Sequence, residues 1–196
     1  MSRLTLSDIV DLRAYENERD TLRREVIALK RTRRLSIGPV VSVVLENRTT
    51  IRFQIQEMAR AERMLSDEQV QIELDTYNPL IPGPGELSMT LFIELTSEDQ
   101  LREWLPNLVG IETSVLLRLG AGDGAEEIKC IVDPGHASQL TRDEITASVH
   151  YVRIALTPEQ RDRFVAGVAA LAIEHPNYRH ETELSEETKE SIRRDW

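Results

Sequence analysis

Residues 77–85 read Tyr-Asn-Pro-Leu-Ile-Pro-Gly-Pro-Gly, and this segment constrains the fold more than any other part of the sequence. Three prolines and two glycines in nine residues exclude a helix, because proline lacks the backbone N–H that a helix interior needs. Leu80 and Ile81 are apolar, whereas a free linker would be more polar. We therefore expect an ordered loop here that packs against the rest of the chain.

Capping signals and apolar periodicity predict the helices on either side of this loop. A long N-terminal helix, capped by Thr5 or Ser7, should end before Gly38 and Pro39. Four further helices should begin at side-chain caps. These are Ser66 (to about residue 76), Ser97 (ended by Pro106), Thr157 (followed by Pro158 and closed by Gln160, to about residue 173) and Ser185 (to Trp196).

Strands are predicted where β-branched residues occur without a helical stripe. They cover residues 40–45, 50–54, 87–95, 114–119, 127–132 and 145–156, and the fourth and fifth of them should form a hairpin across the glycines of residues 120–124. The fold class is α+β, a mostly antiparallel sheet with packed helices, a long N-terminal helix and C-terminal helices. We expect one domain over residues 1–183 and a charged helix or tail over residues 184–196.

The charge of the chain is unevenly distributed. It has 24 basic and 34 acidic residues, for a net charge of −10, but residues 1–63 carry 13 basic and nine acidic residues, a net of +4. The remaining 11 basic and 25 acidic residues give −14. The basic residues at 23–24 and 30–34 are typical either of a phosphate-facing patch or of a helix whose basic end complements its dipole. Without aromatic residues for stacking, nucleic-acid binding is disfavoured.

Composition narrows the class of protein further. The fractions of hydrophobic residues (40%) and charged residues (30%) are those of an ordinary globular protein. No apolar run approaches the roughly 20 residues of a membrane span, and we expect a cytoplasmic protein. The single cysteine, Cys130, excludes an internal disulfide and a zinc site of several thiolates, and its apolar neighbours predict a packing role.

The densest polar cluster lies within residues 52–63. A helix would place Gln56, Arg60 and Arg63 on one face and Glu57 on a more apolar one, where a buried carboxylate needs a partner. One interpretation is an exposed helix with internal ion pairs. The other places Glu57 under the loop of residues 77–84 with Arg60 as its counter-ion. The candidate ligand-binding residues are Arg52, Gln56, Glu57, Arg60, Arg63, Tyr77 and Asn78.

Histidines form a second candidate cluster. His175 and His180 are separated by Pro176, and an irregular loop could bring them together as metal ligands. His150 and a carboxylate, Glu57 or Glu181, could complete a nitrogen and oxygen site for a divalent metal such as iron, zinc or manganese. The alternative is that these are surface or helix-capping histidines, since the sequence contains no recognised ligand spacing.

Four motifs of the chain occur in the same order in a known family, and together they span almost the whole sequence. They are Arg33-Arg34-x3-Gly38-Pro39, Gln54-Ile55-Gln56-Glu57-Met58-x-Arg60-x-Glu62-Arg63, Glu73-Leu74-x2-Tyr77-Asn78-Pro79-Leu80-Ile81-Pro82 and His175-Pro176-x-Tyr178-x-His180. The chain resembles the bacterial family called domain of unknown function 3501, which has no assigned activity. The resemblance implies a genomic context of rubrerythrin-like di-iron proteins and iron–sulfur oxidoreductase subunits.

Three hypotheses for the function follow. The first is a ligand- or metal-binding accessory protein of a bacterial iron, redox or peroxide-stress system, with rubrerythrin-like or iron–sulfur proteins as partners by the implied context. The second is a mononuclear metal enzyme that uses the histidines and Glu57. The third is anion or nucleic-acid binding through the basic N-terminal helix. The opposed charges of the two parts of the chain also suggest self-association into a homo-oligomer.

Overall fold

Two antiparallel β-sheets lie at the centre of the structure, a computed structural model that describes residues 2–132, 141–142 and 145–196. The strands are β1 (Arg34–Ser36), β2 (Val41–Leu45), β3 (Glu86–Ile93), β4 (Val115–Leu119), β5 (Glu126–Lys129), β6 (Ile131–Val132), β7 (Thr141–Arg142), β8 (Ile145–Thr146), β9 (Val149–Ala155), β10 (Ala169–His175) and β11 (Tyr178–Glu183). The first sheet has the order β1-β2-β3-β9-β6 and the second the order β11-β10-β4-β5, while β7 and β8 pair with each other.

The described residues also form six α-helices. They are α1 (Leu12–Arg31), α2 (Arg48–Ala61), α3 (Asp67–Tyr77), α4 (Glu98–Asn107), α5 (Pro158–Ala166) and α6 (Glu186–Arg193), with short 3-10 helices at Leu6–Asp8, Asn78–Leu80, Ile111–Ser114 and Gly122–Gly124. The predicted α+β class, with antiparallel sheets and a long N-terminal helix, is confirmed. In the described part of the chain, no helix has both the length and the apolar composition that a bilayer span requires.

The two sheets share one hydrophobic core. Alternate side chains of β3, among them Met89 and Leu91, belong to the same buried cluster as Leu117 of β4 and Leu171 of β10. This is the period-two pattern expected of a strand with one face on the core. Phe164 of α5 joins the same core, so helices complete it beyond the strands.

A second, smaller core lies on the outer face of the first sheet. Its buried members come from the N-terminal segment, from α2 and α3 and from the loop after α3, and Tyr151 of β9 packs against it. They are Leu4, Ile51, Ile55, Leu74, Leu80 and Ile81. The loop of residues 77–85 is therefore ordered and packed down, as its apolar residues predict.

The predicted strand at residues 50–54 is wrong, because α2 begins at Arg48. The Asn47 side chain accepts hydrogen bonds from the backbone N–H groups of Thr49 and Thr50, and the Thr50 hydroxyl accepts one from the Asn47 N–H. This reciprocal cap starts a helix at the point where the sequence resembles a turn. Helical geometry then places both Ile51 and Ile55 in the second core.

The helix predicted for residues 157–173 is too long. The Thr157 cap is present, but α5 ends at Ala166, and residues 169–175 form β10 between β4 and β11. Alanine favours a helix locally, yet pairing on both edges of β10 decides the structure here. His175 and His180 consequently lie in a β-hairpin, with β10 and β11 joined by a turn at Pro176 and Asn177, and the irregular loop predicted there is wrong.

Two smaller boundary predictions also change. Asp11 caps α1 through the N–H groups of Arg13 and Ala14, whereas Thr5 caps only the short 3-10 helix before it. The segment predicted as one strand at residues 127–132 divides at Cys130, so that β5 pairs with β4 but β6 pairs with β9 of the other sheet. The chain thus crosses between the two sheets at this cysteine.

Candidate functional site

The predicted binding residues of α2 contact the N-terminal end of the chain itself. The Gln56 side chain, which is fully buried, accepts a hydrogen bond from the Val10 N–H (3.1 Å) and donates one to the Val10 carbonyl (2.9 Å). Arg52 donates through Nε to the Asp8 carbonyl at 2.7 Å. Gln56 and Arg52 therefore make intramolecular hydrogen bonds to the backbone of residues 8–10.

Asn78 acts on the same segment from the loop after α3. Its Oδ1 accepts from the Leu4 N–H (2.7 Å) and its Nδ2 donates to the Leu4 carbonyl (2.9 Å). Arg48, which is not among the predicted binding residues, donates to the Asp8 carboxylate at 2.6 Å and to the Ser2 carbonyl at 3.2 Å. Positions 48, 52 and 56 are four residues apart on one helix, so the helical period was the signal that could have identified Arg48.

Glu57 forms an ion pair with α1. Its carboxylate accepts two hydrogen bonds from Arg19, both at 2.8 Å, and one from the Tyr15 hydroxyl at 2.6 Å. Mainly because of the Arg19 hydrogen bonds, the pKa of Glu57 falls to about 2, while burial and the Glu57 carboxylate raise the pKa of Tyr15. The proposed pairing of Glu57 with Arg60 under the loop is not what the structure shows, because Arg60 donates to Glu16 at 2.6 Å instead.

Two of the candidate ligand-binding residues lie elsewhere. Arg63 is exposed just beyond α2 in a left-handed backbone conformation (φ 53°) and lines a shallow depression with Arg60 and Glu16. Tyr77 is half-buried at the end of α3 and interacts with Tyr151 of the first sheet. The structure thus brings Arg52, Gln56, Glu57, Arg60 and Asn78 onto residues 4–19 of the chain and leaves Arg63 and Tyr77 outside that group.

The histidines occupy separate places. His150 of β9 is buried, with Nε2 at 2.8 Å from the Thr146 hydroxyl and 2.9 Å from the Ala147 carbonyl, and Nδ1 at 3.9 Å from the Glu112 carboxylate. Burial lowers the pKa of His150, and the neighbouring Glu112 opposes that shift only in part. The ring is therefore neutral near pH 7 and functions as a buried hydrogen-bonding group.

His175 and His180 lie on the paired strands of the hairpin. His175 is buried, with Nε2 at 3.0 Å from the Val109 carbonyl and Nδ1 accepting from the Asn177 N–H at 3.3 Å. The exposed His180 ring lies 4.6 Å from the Tyr178 ring, against Gly38, whose φ of +78° and lack of a Cβ allow this approach. Within residues 2–132, 141–142 and 145–196, no three or more His, Cys, Asp or Glu side chains are grouped as metal ligands. The structure does not assemble the predicted ligand set.

Cys130 has the packing role that its neighbours predict. It is half-buried against the main core, and its thiol donates to the Glu112 carbonyl at 3.1 Å. Burial raises the pKa of the thiol to about 11. A cysteine that is protonated at neutral pH is a poor nucleophile and a poor metal ligand.

A cavity of about 240 Å³ opens where the loop after α3 meets the edge of the first sheet. No sequence pattern predicts this site, because its residues lie far apart in the chain. Four of the lining residues are apolar and four are polar: Leu80, Ile131, Val132 and Val152, and Glu86, Ser88, Tyr151 and Arg153. Burial raises the pKa of Tyr151, whose side chain also interacts with Gln54 and Tyr77.

Arg153 is the cationic group of this cavity. Its Nη2 donates to the Pro79 carbonyl, which fixes the guanidinium against the loop. Its Nη1 lies 3.8 Å from the Glu86 carboxylate, beyond hydrogen-bond distance, and Glu86 accepts instead from the Gly83 N–H at 2.7 Å. Arg153 and Glu86 therefore form an ion pair at the cavity without a hydrogen bond between them.

Comparisons with known proteins place the chain among proteins without an assigned activity. A search of curated proteins finds no match. A solved structure described as a novel protein of unknown function from Burkholderia pseudomallei K96243 is 33% identical, with a TM-score of 0.88 over 99% of each chain. The family model described as protein of unknown function (DUF3501) matches residues 3–196, nearly the whole chain. The chain therefore belongs to the DUF3501 family.

Proposed function

We propose that the chain is a binding protein whose ligand occupies the cavity beside Arg153. The observation that carries this proposal is the lining, in which the polar residues Arg153, Tyr151, Ser88 and Glu86 lie beside apolar side chains around a single concave space. Small-molecule sites are typically apolar clefts with a few placed polar groups. Ile131 supports the assignment, because this large apolar side chain is 59% exposed at the cavity.

The lining also defines the class of ligand. A volume of about 240 Å³ is below the roughly 300–1,000 Å³ of sites for drug-sized molecules. Arg153 suits a carboxylate, which a guanidinium binds through charge-assisted hydrogen bonds. Leu80 and Val132 suit an apolar body. The proposed ligand is a small organic acid with a short apolar chain or ring.

Titration with hexanoate and benzoate, followed by the amide NMR signals of β3 and β9, tests this proposal. We expect the largest shifts at Tyr151 and Arg153, and little response to benzylamine, which has the opposite charge. Arg153→Gln should weaken binding by about tenfold or more, because it removes a charge-assisted hydrogen bond. The control is Arg102→Gln, an exposed arginine of α4. Equal binding by the two variants would refute the assignment.

The proposed setting is a bacterial iron, redox or peroxide-stress system, with rubrerythrin-like or iron–sulfur proteins as partners. The genomic context implied by the family resemblance supports this setting. A strain that lacks the gene should survive hydrogen peroxide less well than its parent. The wild-type chain and Arg102→Gln should restore survival, and Arg153→Gln should not. Survival that does not change on deletion would contradict the setting, and the titration above would still decide whether the cavity binds a ligand.

A second candidate function is anion binding at the basic end of α1. Arg23, Arg24 and Arg31 are exposed, and in the described part of the chain none of the three forms an ion pair. Binding of a 30-base-pair DNA duplex at about 50 mM salt, lost steeply as the salt concentration rises, is the expected result. The triple change of these arginines to glutamine should abolish the mobility shift. Absence of a shift with the wild-type chain would eliminate this function.

A further inference from the structure

A groove on the outer face of the first sheet holds residues 2–10 of the chain, here called the N-terminal segment. The groove is formed by α2, α3 and the 3-10 helix after α3, and its floor is the second core. Leu4 is 3% exposed in it, and Leu6 and Ile9 pack against the same floor. The segment therefore lies in the groove as a bound peptide does.

Two carboxamide side chains hold the segment by its backbone. Gln56 bonds to both the N–H and the carbonyl of Val10, and Asn78 bonds to both groups of Leu4. Each amide thus replaces the pair of hydrogen bonds that a neighbouring strand would supply. These hydrogen bonds are made to the backbone on either side of the 3-10 turn at Leu6–Asp8, and they do not involve the side chains of Leu4 and Val10.

The arginines of α2 supply the selectivity for charge. Arg48 binds the Asp8 carboxylate at 2.6 Å and Arg52 binds the carbonyl of the same residue at 2.7 Å. The Arg48 hydrogen bond lowers the pKa of Asp8, so the carboxylate is ionised in place. The groove therefore selects apolar side chains at the positions of Leu4, Leu6 and Ile9 and an acidic one at the position of Asp8.

The two amide clamps and the arginines of α2 hold the segment in the groove, and Asp11 joins it to α1. In the described part of the chain, its backbone makes no backbone-to-backbone hydrogen bond with any other helix or strand. Helix α1 is held separately, through Glu57 with Tyr15 and Arg19 and through Arg60 with Glu16. The segment can therefore leave the groove while α1 remains in place.

We propose that the groove is a peptide-binding site that accepts the N-terminal segment of a second copy of this chain in place of its own. A second copy fits this site because it carries the same N-terminal segment that the groove accommodates in the structure. Nine fully extended residues span at most roughly 30 Å, and the 3-10 turn at Leu6–Asp8 makes the bound segment shorter than this. The chain's own segment has the advantage of a high effective concentration, so exchange should grow as the protein concentration rises.

Two complementary full-length variants test the exchange. The groove variant, Gln56→Leu with Asn78→Leu, loses both clamps but keeps an intact segment. The segment variant, Leu4→Asp with Asp8→Lys, loses its own occupant but keeps an intact groove. Each alone should sediment as a monomer, and the mixture should form a 1:1 complex that contains one groove filled in trans. Circular dichroism of each variant establishes that it is folded.

A peptide assay covers the case in which a double variant does not fold. A fluorescent peptide of residues 2–11 should bind the segment variant about tenfold or more tightly than it binds the wild-type chain, whose own segment competes. Leu4→Asp alone serves as a second, milder acceptor, and a peptide carrying Leu4→Asp is the matched control. Folded variants that bind no peptide and form no complex would overturn the proposal. Peptide binding without a 1:1 complex would also overturn it, because the segment of one chain would then not reach the groove of another.

Discussion

The two sheets of this protein share a core but have opposite outer faces. The outer face of the first sheet is covered by α2, α3 and the N-terminal segment, with a second core beneath them. The outer face of the second sheet bears charged side chains, with Arg118 of β4 bound to Glu127, Glu174 and Glu181 on the three other strands. Arginine and glutamate occur on both faces, yet their surroundings differ.

The difference between the two faces shows how burial changes the contribution of an ion pair or a hydrogen bond to stability. On the covered face, Gln56 is fully buried and each of its bonds replaces one that water would otherwise make. On the open face, the carboxylates around Arg118 are 40–49% exposed, and water competes for every bond. Polar contacts on the covered face should therefore contribute measurably to stability, and those on the open face should contribute little.

The largest effect should come from the apolar layer that only the covered face has. Ile55→Ala removes a fully buried side chain from the second core and should lower the free energy of unfolding by about 2–5 kcal/mol. Val168→Ala, at a side chain 40% exposed beside the open face, should cost less than about 0.5 kcal/mol. Chemical denaturation of both variants measures the contrast. If both variants lose the same free energy of unfolding, the layer that covers the first sheet adds no hydrophobic core of its own.

The next effect should come from the clamps. Gln56→Leu keeps the volume of the side chain but leaves the N–H and carbonyl of Val10 without their partner, at a cost of about 1–3 kcal/mol. The matched change on the open face, Glu127→Gln, should cost less than about 1 kcal/mol, because its carboxylate is 49% exposed. Hydrogen exchange at Val10 should also accelerate in the first variant only. An unchanged exchange rate would contradict the role of the clamp.

The ion pair of Glu57 with Arg19 should have an intermediate effect that depends on pH. Glu57→Gln should lower the free energy of unfolding by about 1–2 kcal/mol at pH 7, because Glu57 is mostly buried and accepts three hydrogen bonds. Its pKa is lowered from 4.5 to about 2, so this contribution is fully present above pH 4.5. It should disappear as the pH falls toward 2, since protonation then favours the unfolded chain. A difference between the two proteins that stays constant from pH 6 to pH 2 would exclude this linkage.

Much of the fold was predictable because helix caps are local. Ser66, Ser97, Thr157 and Ser185 each accept a backbone hydrogen bond at the start of the expected helix. The errors arose where local and tertiary preferences conflict. Asn47 begins a helix although it resembles a turn residue, and the alanines of β10 form a strand because β4 and β11 pair with both of its edges.

The candidate site was predictable in its chemistry and not in its partners. The sequence indicated that Glu57, on an apolar helical face, needs a partner if it is buried, and it named Gln56 and Asn78 as further candidates. It could not reveal that Val10, Arg19 and Leu4 satisfy them, because these contacts span 46, 38 and 74 residues. The cavity beside Arg153 was missed for the same reason, because its lining comes from positions between 80 and 153.

The smallest effect should come from the charged network of the open face. Arg118→Gln removes a cation from among three glutamates, which should cost about 1 kcal/mol or less in 0.15 M salt. The loss should be largest at low salt, where the carboxylates repel each other over a longer distance, and should shrink as salt shortens the Debye length to about 3 Å at 1 M. The loss caused by Glu57→Gln should change less with salt, because the Glu57 carboxylate is 28% exposed whereas those around Arg118 are 40–49% exposed. Chemical denaturation at 0.05 M and 1 M salt measures both losses. If the two losses change equally between these salt concentrations, water and ions reach the two faces equally.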